Sequence, residues 1–368
     1  MLSRVKKIAR KYLQYNRQFK GRHILALNDL KRKYENVTKP ITLEQRNKIE
    51  DFWTPYVKGR YAKASFDTKW FDIYNSLNYK NNRLEYYIPD DFYYCFVDTY
   101  YSDFQSAKIV DDKNMYDMFF NDVKQPKTIA RKINGLYLNA AYKPISEEEL
   151  IDLCINVGNI IIKKSINSVG GKGVQFWDKH ASINELKIII EGMQDFVIQE
   201  IIEQHPELSK ANESSINTIR IVTFIFKGEI NILSSILRMG VSGMRVDNAS
   251  SGGLACGIDK NGRLKSYATD IKAKVYHKHP SGINFDEIVI PNFDKCIKLV
   301  KNLAPRFYNI SKLISWDLSI GKDGEPILIE FNLSYGDLAI HQTTNGPIFG
   351  ELTEEVLMDV AENHKLFT

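Results

Sequence analysis

The stretch SWDLSIGKDGEPILIEFN, residues 315–332, decides how this chain is read. Two apolar runs flank the tight turn KDGE, so the segment reads as an antiparallel hairpin. Glu330 and Asn332 are two apart on the second strand, and their side chains therefore share a face. Asp317 stands on the partner strand, close to opposite them. Two carboxylates and an amide oxygen converging in this way form a hard-oxygen site that suits Mg2+ or Mn2+. The competing reading is an ordinary hairpin with a wet polar face. Against it, Asp317 and Glu330 are embedded in LISWDLSI and PILIEFNL, whose apolar neighbours argue for burial. Like charges are costly to bury without a cation, and the metal reading is favoured.

A second stretch, IIIKKSINSVGGKGVQ (160–175), has the grammar of a strand, a strand-end lysine and a glycine loop. It is neither GxxxxGK[ST] nor GxGxxG. Such a loop can lay backbone N–H groups around phosphate oxygens while Lys163 or Lys164 reaches the same anion. A plain turn fits equally well on these residues alone. Some 35 residues on, DFVIQEIIEQHPE offers a buried strand ending in Gln199 and Glu200, placed to meet a base and a ribose.

The rest of the 368-residue chain sets bounds. Its 43% hydrophobic and 26% charged residues, with 20 Tyr and 19 Phe, are those of a folded protein with real cores. No apolar run is long enough for a membrane span, and the start lacks the apolar segment of a secretory signal. Cys95, Cys154, Cys256 and Cys296 lie far apart with no CxxC pair, which reads as reduced core cysteines and a cytoplasmic setting. Residues 1–33 hold 11 Lys/Arg and one acid, leaving 39 against 44 elsewhere. The basic excess thus belongs to an N-terminal helix, read either as packed on the body or as docking to an anionic membrane surface at its inner face. No basic groove with interleaved aromatics marks the body, so nucleic acid is not expected as a partner.

Along the chain the patterns suggest four regions. Residues 1–45 form a basic helical arm, and 46–110 an aromatic-rich, mainly helical region whose rings read as core. A helix capped at Thr42, with Gln45 three residues on, begins that region. Residues 111–203 alternate strands and helices, and 204–368 are strongly β with covering helices. The class is α+β. HKH at 277–279 lacks a third ligand and reads as surface histidines. His341 has two readings, approach to an acceptor or loop packing.

The order DDKNMYDMFF, IIIKKSINSVGGKGV, VIQEIIEQH and WDLSI…LIEFN resembles the ATP-grasp fold, a small α/β subdomain and a larger antiparallel-sheet subdomain that clasp ATP. SSINTIRIVTF, ILRMGVSGMRVDNASSGGLACGID and EFNLSYGDLAIHQ are similar to sugar-transfer-associated ATP-grasp proteins of polysaccharide biosynthesis. The likeness runs from about residue 85 to the C-terminus. It departs where the family has Pro after the strand-end lysine and a Gly triplet; here Lys164 and Val169–Gly171 stand.

The resemblance implies that Lys113 and Lys163 hold the α- and β-phosphates, and that Ser168 to Gly173, with Gly170 and Gly171, fold over the γ-phosphate. Glu200 and Ile202 would meet adenine, with Glu203 or His205 near the ribose and Gln199 beside them. Asp317, Glu330 and Asn332 would hold two Mg2+. Arg220 and Arg238 suit a transferring phosphoryl group and a carboxylate oxyanion by their bidentate geometry, with structural ion pairing as the alternative. The implied activity is an ATP-dependent carboxylate–amine ligase acting through an acyl phosphate. Its carboxylate donor would be a sugar acid or glycan and its acceptor an amine, in capsule or O-antigen assembly. A sugar kinase on the same fold and a silent glycan-binding factor are the alternatives.

Overall fold

The computed structural model describes residues 19–57, 66–77, 83–166, 173–241, 243, 244, 247 and 252–364. It contains two antiparallel sheets. The smaller joins β1 (Thr128–Ile133), β2 (Leu136–Asn139), β3 (Ile160–Lys164), β4 (Val174–Trp177) and β5 (Phe196–Glu200) in the order β2-β1-β5-β3-β4. Two helices, Glu147–Val157 and Ile183–Gly192, cover it and bury Leu150, Cys154, Leu186 and Ile190 against Ile160, Ile162 and Ile198. The first starts at a complete capping box, Ser146 with Glu149.

The larger sheet holds β6 (Thr218–Phe226), β7 (Glu229–Met239), β8 (Leu254–Ile258), β9 (Leu264–Thr269), β10 (Val275–Tyr276), β11 (Leu313–Ile320) and β12 (Pro326–Asn332). Their order is β10-β9-β8-β7-β6-β11-β12. All nine residues of β6 are buried, because both faces of this central strand are covered. Ile219, Ile221, Trp316 and Leu318 enter one core with the helix Phe293–Leu303, while Val222, Phe224, Phe226 and Leu313 enter another.

That second core is built by the N-terminal aromatics. Helix α1 (19–34), α2 (Leu43–Val57), α3 (Lys69–Ser76) and the helical run 90–101 bring Trp53, Trp70, Phe71, Phe92 and Phe96 together. The expected cap of α2 is present: the Thr42 N–H donates to Gln45 Oε1 at 2.9 Å, and the Gln45 N–H to Thr42 Oγ1 at 3.2 Å. Ala26 and Leu30 of α1 are buried in this core, so the described part of the basic arm is packed on the body. Residues 1–18 lie outside the described residues. All four cysteines are free and buried, as core residues should be.

One surface assignment is corrected. His279 is buried at 2% exposure, its Nε2 3.1 Å from the Gly240 carbonyl and its Nδ1 2.8 Å from Ser281 Oγ. Its tight turn, where the Gly282 N–H returns to the His279 carbonyl, folds the ring inward. Among the described residues, no helix is long and apolar enough to cross a membrane.

Candidate functional site

Parity builds the site. Residues 222, 224 and 226 of β6 face the N-terminal aromatics, and Arg220, on the same face one step further, opens into a cleft of about 1090 Å³. Arg220 and Arg238 share a face, since Arg238 pairs with Thr218 once a register shift between Val222 and Thr223 has offset the pairing that the turn sets. Asp317 lies between Arg220 on one neighbouring strand and Glu330 on the other. Ser315 pairs with Asn332, so Glu330 and Asn332 sit beside the Asp317 strand as the hairpin reading required.

Asp317 is 2% exposed, and Arg220 grips it with a fork, Nε and Nη2 each at 2.7 Å. Arg220 Nη1 reaches on to Asp337. Arg238 is held more loosely, 3.7 Å from Asp317 and 3.5 Å from Asp247, and its Nε has no hydrogen-bond partner among the described residues. Burial opposes charge on Asp317, but the two guanidiniums prevail and hold its carboxyl below the ordinary value.

Glu330 accepts an ion pair from Lys113 at 2.9 Å. Lys113 sits on a short turn of helix capped by Asp112, and its N–H donates to the carbonyl of Ser165, just past β3. Lys163 borders the same cleft, and burial draws its ammonium down to about 8, against the pull of Glu330. Lys164 alternates outward and is exposed.

The segment 201–205 carries the chain between the sheets and is pinned to the β11–β12 hairpin: the His205 N–H donates to Ile320 O, and Lys322 N–H to Glu203 O. Glu200, Ile202 and Glu203 line the cleft, with Glu200 paired to Lys127 at 2.8 Å and Glu203 to Lys322 at 2.9 Å. Gln199 and His205 do not line it. Gln199 pairs within the small sheet, and His205 Nδ1 caps Pro206–Ser209 by accepting the Glu207 N–H. Gly173 stands just before β4 with φ +87°, its carbonyl accepting the Lys164 N–H, and a Cβ there would meet Lys164 Cβ at 2.9 Å, so glycine is required. Ser168, Gly170 and Gly171 lie outside the described residues.

His341 is buried on the helix Leu338–Asn345 rather than in a loop, with Nδ1 2.8 Å from Ser234 Oγ. Burial, aided by Arg220 and Arg238, pushes it down to about 3, so it is neutral.

Could Asp317, Glu330 and Asn332 hold a metal? Among the described residues no three His, Cys, Asp or Glu side chains form such a group, so the candidate set is two carboxylates and a carboxamide. Each carboxylate oxygen keeps a lone pair beyond the one given to arginine or lysine. Asn332 Nδ2 is buried without a partner among the described residues. As an N–H donor it suits a phosphate oxygen or a water and not a cation, so the amide's ligand to a metal would be its Oδ1, beside the carboxylate oxygens. The donors fit a hard cation.

The cleft also contains residues that sequence reasoning missed: Arg22 and Lys33 from α1, Asp90 and Tyr94 from the run 90–101, and Tyr335 and Asp337 from the loop after β12. Only the last two had a signal, the polar turn SYGD following a candidate metal strand.

The family described as sugar-transfer associated ATP-grasp matches residues 95–357. No curated protein matches the sequence. Among solved structures, D-alanyl-alanine synthetase A from Vibrio cholerae is similar at 11% identity and TM-score 0.39, over 69% of this chain and 63% of that one. D-alanine–D-alanine ligase from Bacillus anthracis is similar at 18% identity and TM-score 0.39, over 71% and 68%. An L-amino acid ligase from Bacillus licheniformis is similar at 15% identity and TM-score 0.37, over 68% and 48%.

Proposed function

Because the chain belongs to the sugar-transfer associated ATP-grasp family, we propose that it is an ATP-dependent ligase that joins a carboxylate, such as a sugar acid, to an amine in surface polysaccharide assembly. One observation carries the reading. Lys113 and Lys163 from the small-sheet side, and Asp317, Glu330, Asn332, Arg220 and Arg238 from the large sheet, border one cleft. Cations for phosphate and oxygen ligands for a divalent ion thus face the same volume.

In this reading a carboxylate oxygen of the donor attacks the γ-phosphorus of ATP and ADP leaves. The amine nitrogen then attacks the acyl carbon, phosphate leaves with the C–O bond electrons, and the nitrogen gives up its proton. Asp317, Glu330 and Asn332 would hold Mg2+, which when bound supplies charge neutralisation to the phosphates. Lys163 and Lys113 hold phosphate oxygens. Arg238, with donors to spare, takes the transferring phosphoryl group, whereas Arg220 is committed to fixing Asp317 and Asp337.

An ADP-release screen crossing uronic acids with amino acids and aminosugars tests this. A ligase gives ADP and free phosphate only when both substrates are present. ADP formed with a hydroxyl sugar alone, with phosphate retained on the product, would establish a kinase instead. Glu330→Gln should keep the fold and lose most turnover; an active variant would remove Glu330 from the site.

A further inference from the structure

The cleft extends past the phosphate-facing groups. Its far wall is α1 with the run 90–101, and its floor is the loop 333–337. At this end the cations are already engaged. Arg32 and Lys33 both contact Asp29. Arg22 lies 3.8 Å over the ring of Phe104 and 5.0 Å from that of Tyr335, and donates to the Tyr94 carbonyl at 2.9 Å.

The unspent groups are carboxylates. Asp90 is 2% exposed, borders the cleft, and has an Oδ1 without a hydrogen-bond partner among the described residues. Burial pushes its carboxyl up to about 7 against the pull of the buried Lys33 ammonium, whose charge also acts on Asp337. Asp337 gives one oxygen to Arg220 and leaves its side chain 60% exposed. The Tyr94 ring lies among them, near both Asp90 and Asp337, and its hydroxyl accepts the Leu338 N–H at 3.2 Å. The half-exposed Tyr335 ring stacks beside it, 5.8 Å away.

We propose that this compartment, walled by α1, binds the acceptor substrate of the ligase as an ammonium cation, held by Asp337 at its mouth and Asp90 in its wall. The proposal rests on the ligase reading for the word acceptor, not for the binding itself. A buried carboxylate oxygen without a donor calls for one, and an ammonium supplies three. Arg220 then links the compartments: one guanidinium touches Asp317 beside the phosphate-facing groups and Asp337 beside the amine. An ammonium on Asp337 is thereby held next to the site where the acyl phosphate forms, and it gives up one proton, to that carboxylate or to water, before its nitrogen attacks.

The test uses the full chain and three probes on one scaffold: glucosamine, glucose and glucuronate. Calorimetry without ATP should find glucosamine bound best, and its affinity lowered about tenfold in Asp337→Asn. Asparagine tolerates the φ of +55° at this position, so the variant should fold as the parent does. Asp90→Asn, checked by its melting curve, should weaken glucosamine in the same direction. Equal glucosamine binding by parent and Asp337→Asn, tighter binding of glucuronate, or no binding of any probe would overturn the proposal. ADP release is measured separately: glucosamine binding without turnover on any carboxylate defeats the ligase reading alone, and turnover unaffected by Asp337→Asn defeats this site alone.

Discussion

Arg220 and Arg238 both face Asp317, yet they are spent differently, and the difference predicts what each substitution costs. Arg220 makes two 2.7 Å contacts to a carboxylate that is 2% exposed. Removing it in Arg220→Met leaves that charge uncompensated, an effect of about 3–5 kcal/mol for buried pairs, so a large fall in the denaturation midpoint is expected. Arg238 lacks such a contact. Arg238→Lys keeps the charge and removes the fork, so the melting temperature should move little while turnover falls steeply if the guanidinium grips the phosphoryl group in two places. Equal losses of stability in the two variants would mean that both arginines are structural. That the two arginines flank one hairpin was readable in the sequence, although their common face was not, because it needs the register shift between Val222 and Thr223. Which of them is free was not, because it depends on Asp337, more than 100 residues away in sequence.

Among the elements, the run 90–101 carries a charge problem of its own. Burial pushes Asp91 up to about 7 and Asp98 up to about 6, although Asp91 accepts the N–H groups of Asp67 and Phe92 and Asp98 that of Tyr335. An unfolded aspartate titrates near ~3.9. Between about pH 4 and 7 the folded chain therefore binds more protons at these groups, and stability is lost as pH rises through that window. His341 and His364, pushed down to about 3 and about 4 by burial, act in the opposite sense below ~6.5, so the parent's own curve partly cancels. Asp91→Asn isolates one group. Its stability relative to the parent should climb with pH between about 4 and 7, by up to ~1.4 kcal/mol per pH unit. A pH-independent difference in urea midpoints would show that Asp91 titrates normally. The element itself was readable from the sequence as part of a mainly helical region with an aromatic core, because ring density is a local signal. The burial of its acids was not: PDD looks the same at a surface, and only packing against β6 and the loop after β12 puts it inside.

At the scale of the molecule, the hairpin 313–332 announced the site because its two strands are adjacent in sequence, although Asp317 meets Glu330 only through a register shift between Asp317 and Leu318 that the turn does not set. The small sheet and its lysines were legible for the same reason, strand by strand. The far wall was hidden, since α1 and the loop 333–337 meet across some 300 residues and the basic composition of residues 1–33 suggested an arm. Yet the face of β6 that packs on the N-terminal aromatics is the face that carries Arg220, so whatever covers Val222 and Phe224 must also border the site. On the proposed reading, the N-terminal helix is coupled to acceptor binding and only indirectly to nucleotide. Leu30 is 3% exposed in that core, and Leu30→Asp should detach α1, since even truncation of such a residue to alanine costs about 2–5 kcal/mol. The expected outcome is a lower melting temperature and lost glucosamine binding, with ATP affinity by calorimetry retained, because Lys113, Lys163 and Glu330 do not lean on α1. If ATP binding vanishes together with glucosamine binding, the N-terminal unit and the two sheets fold as one cooperative body, and α1 is a foundation of the nucleotide site as well as a wall of the acceptor compartment.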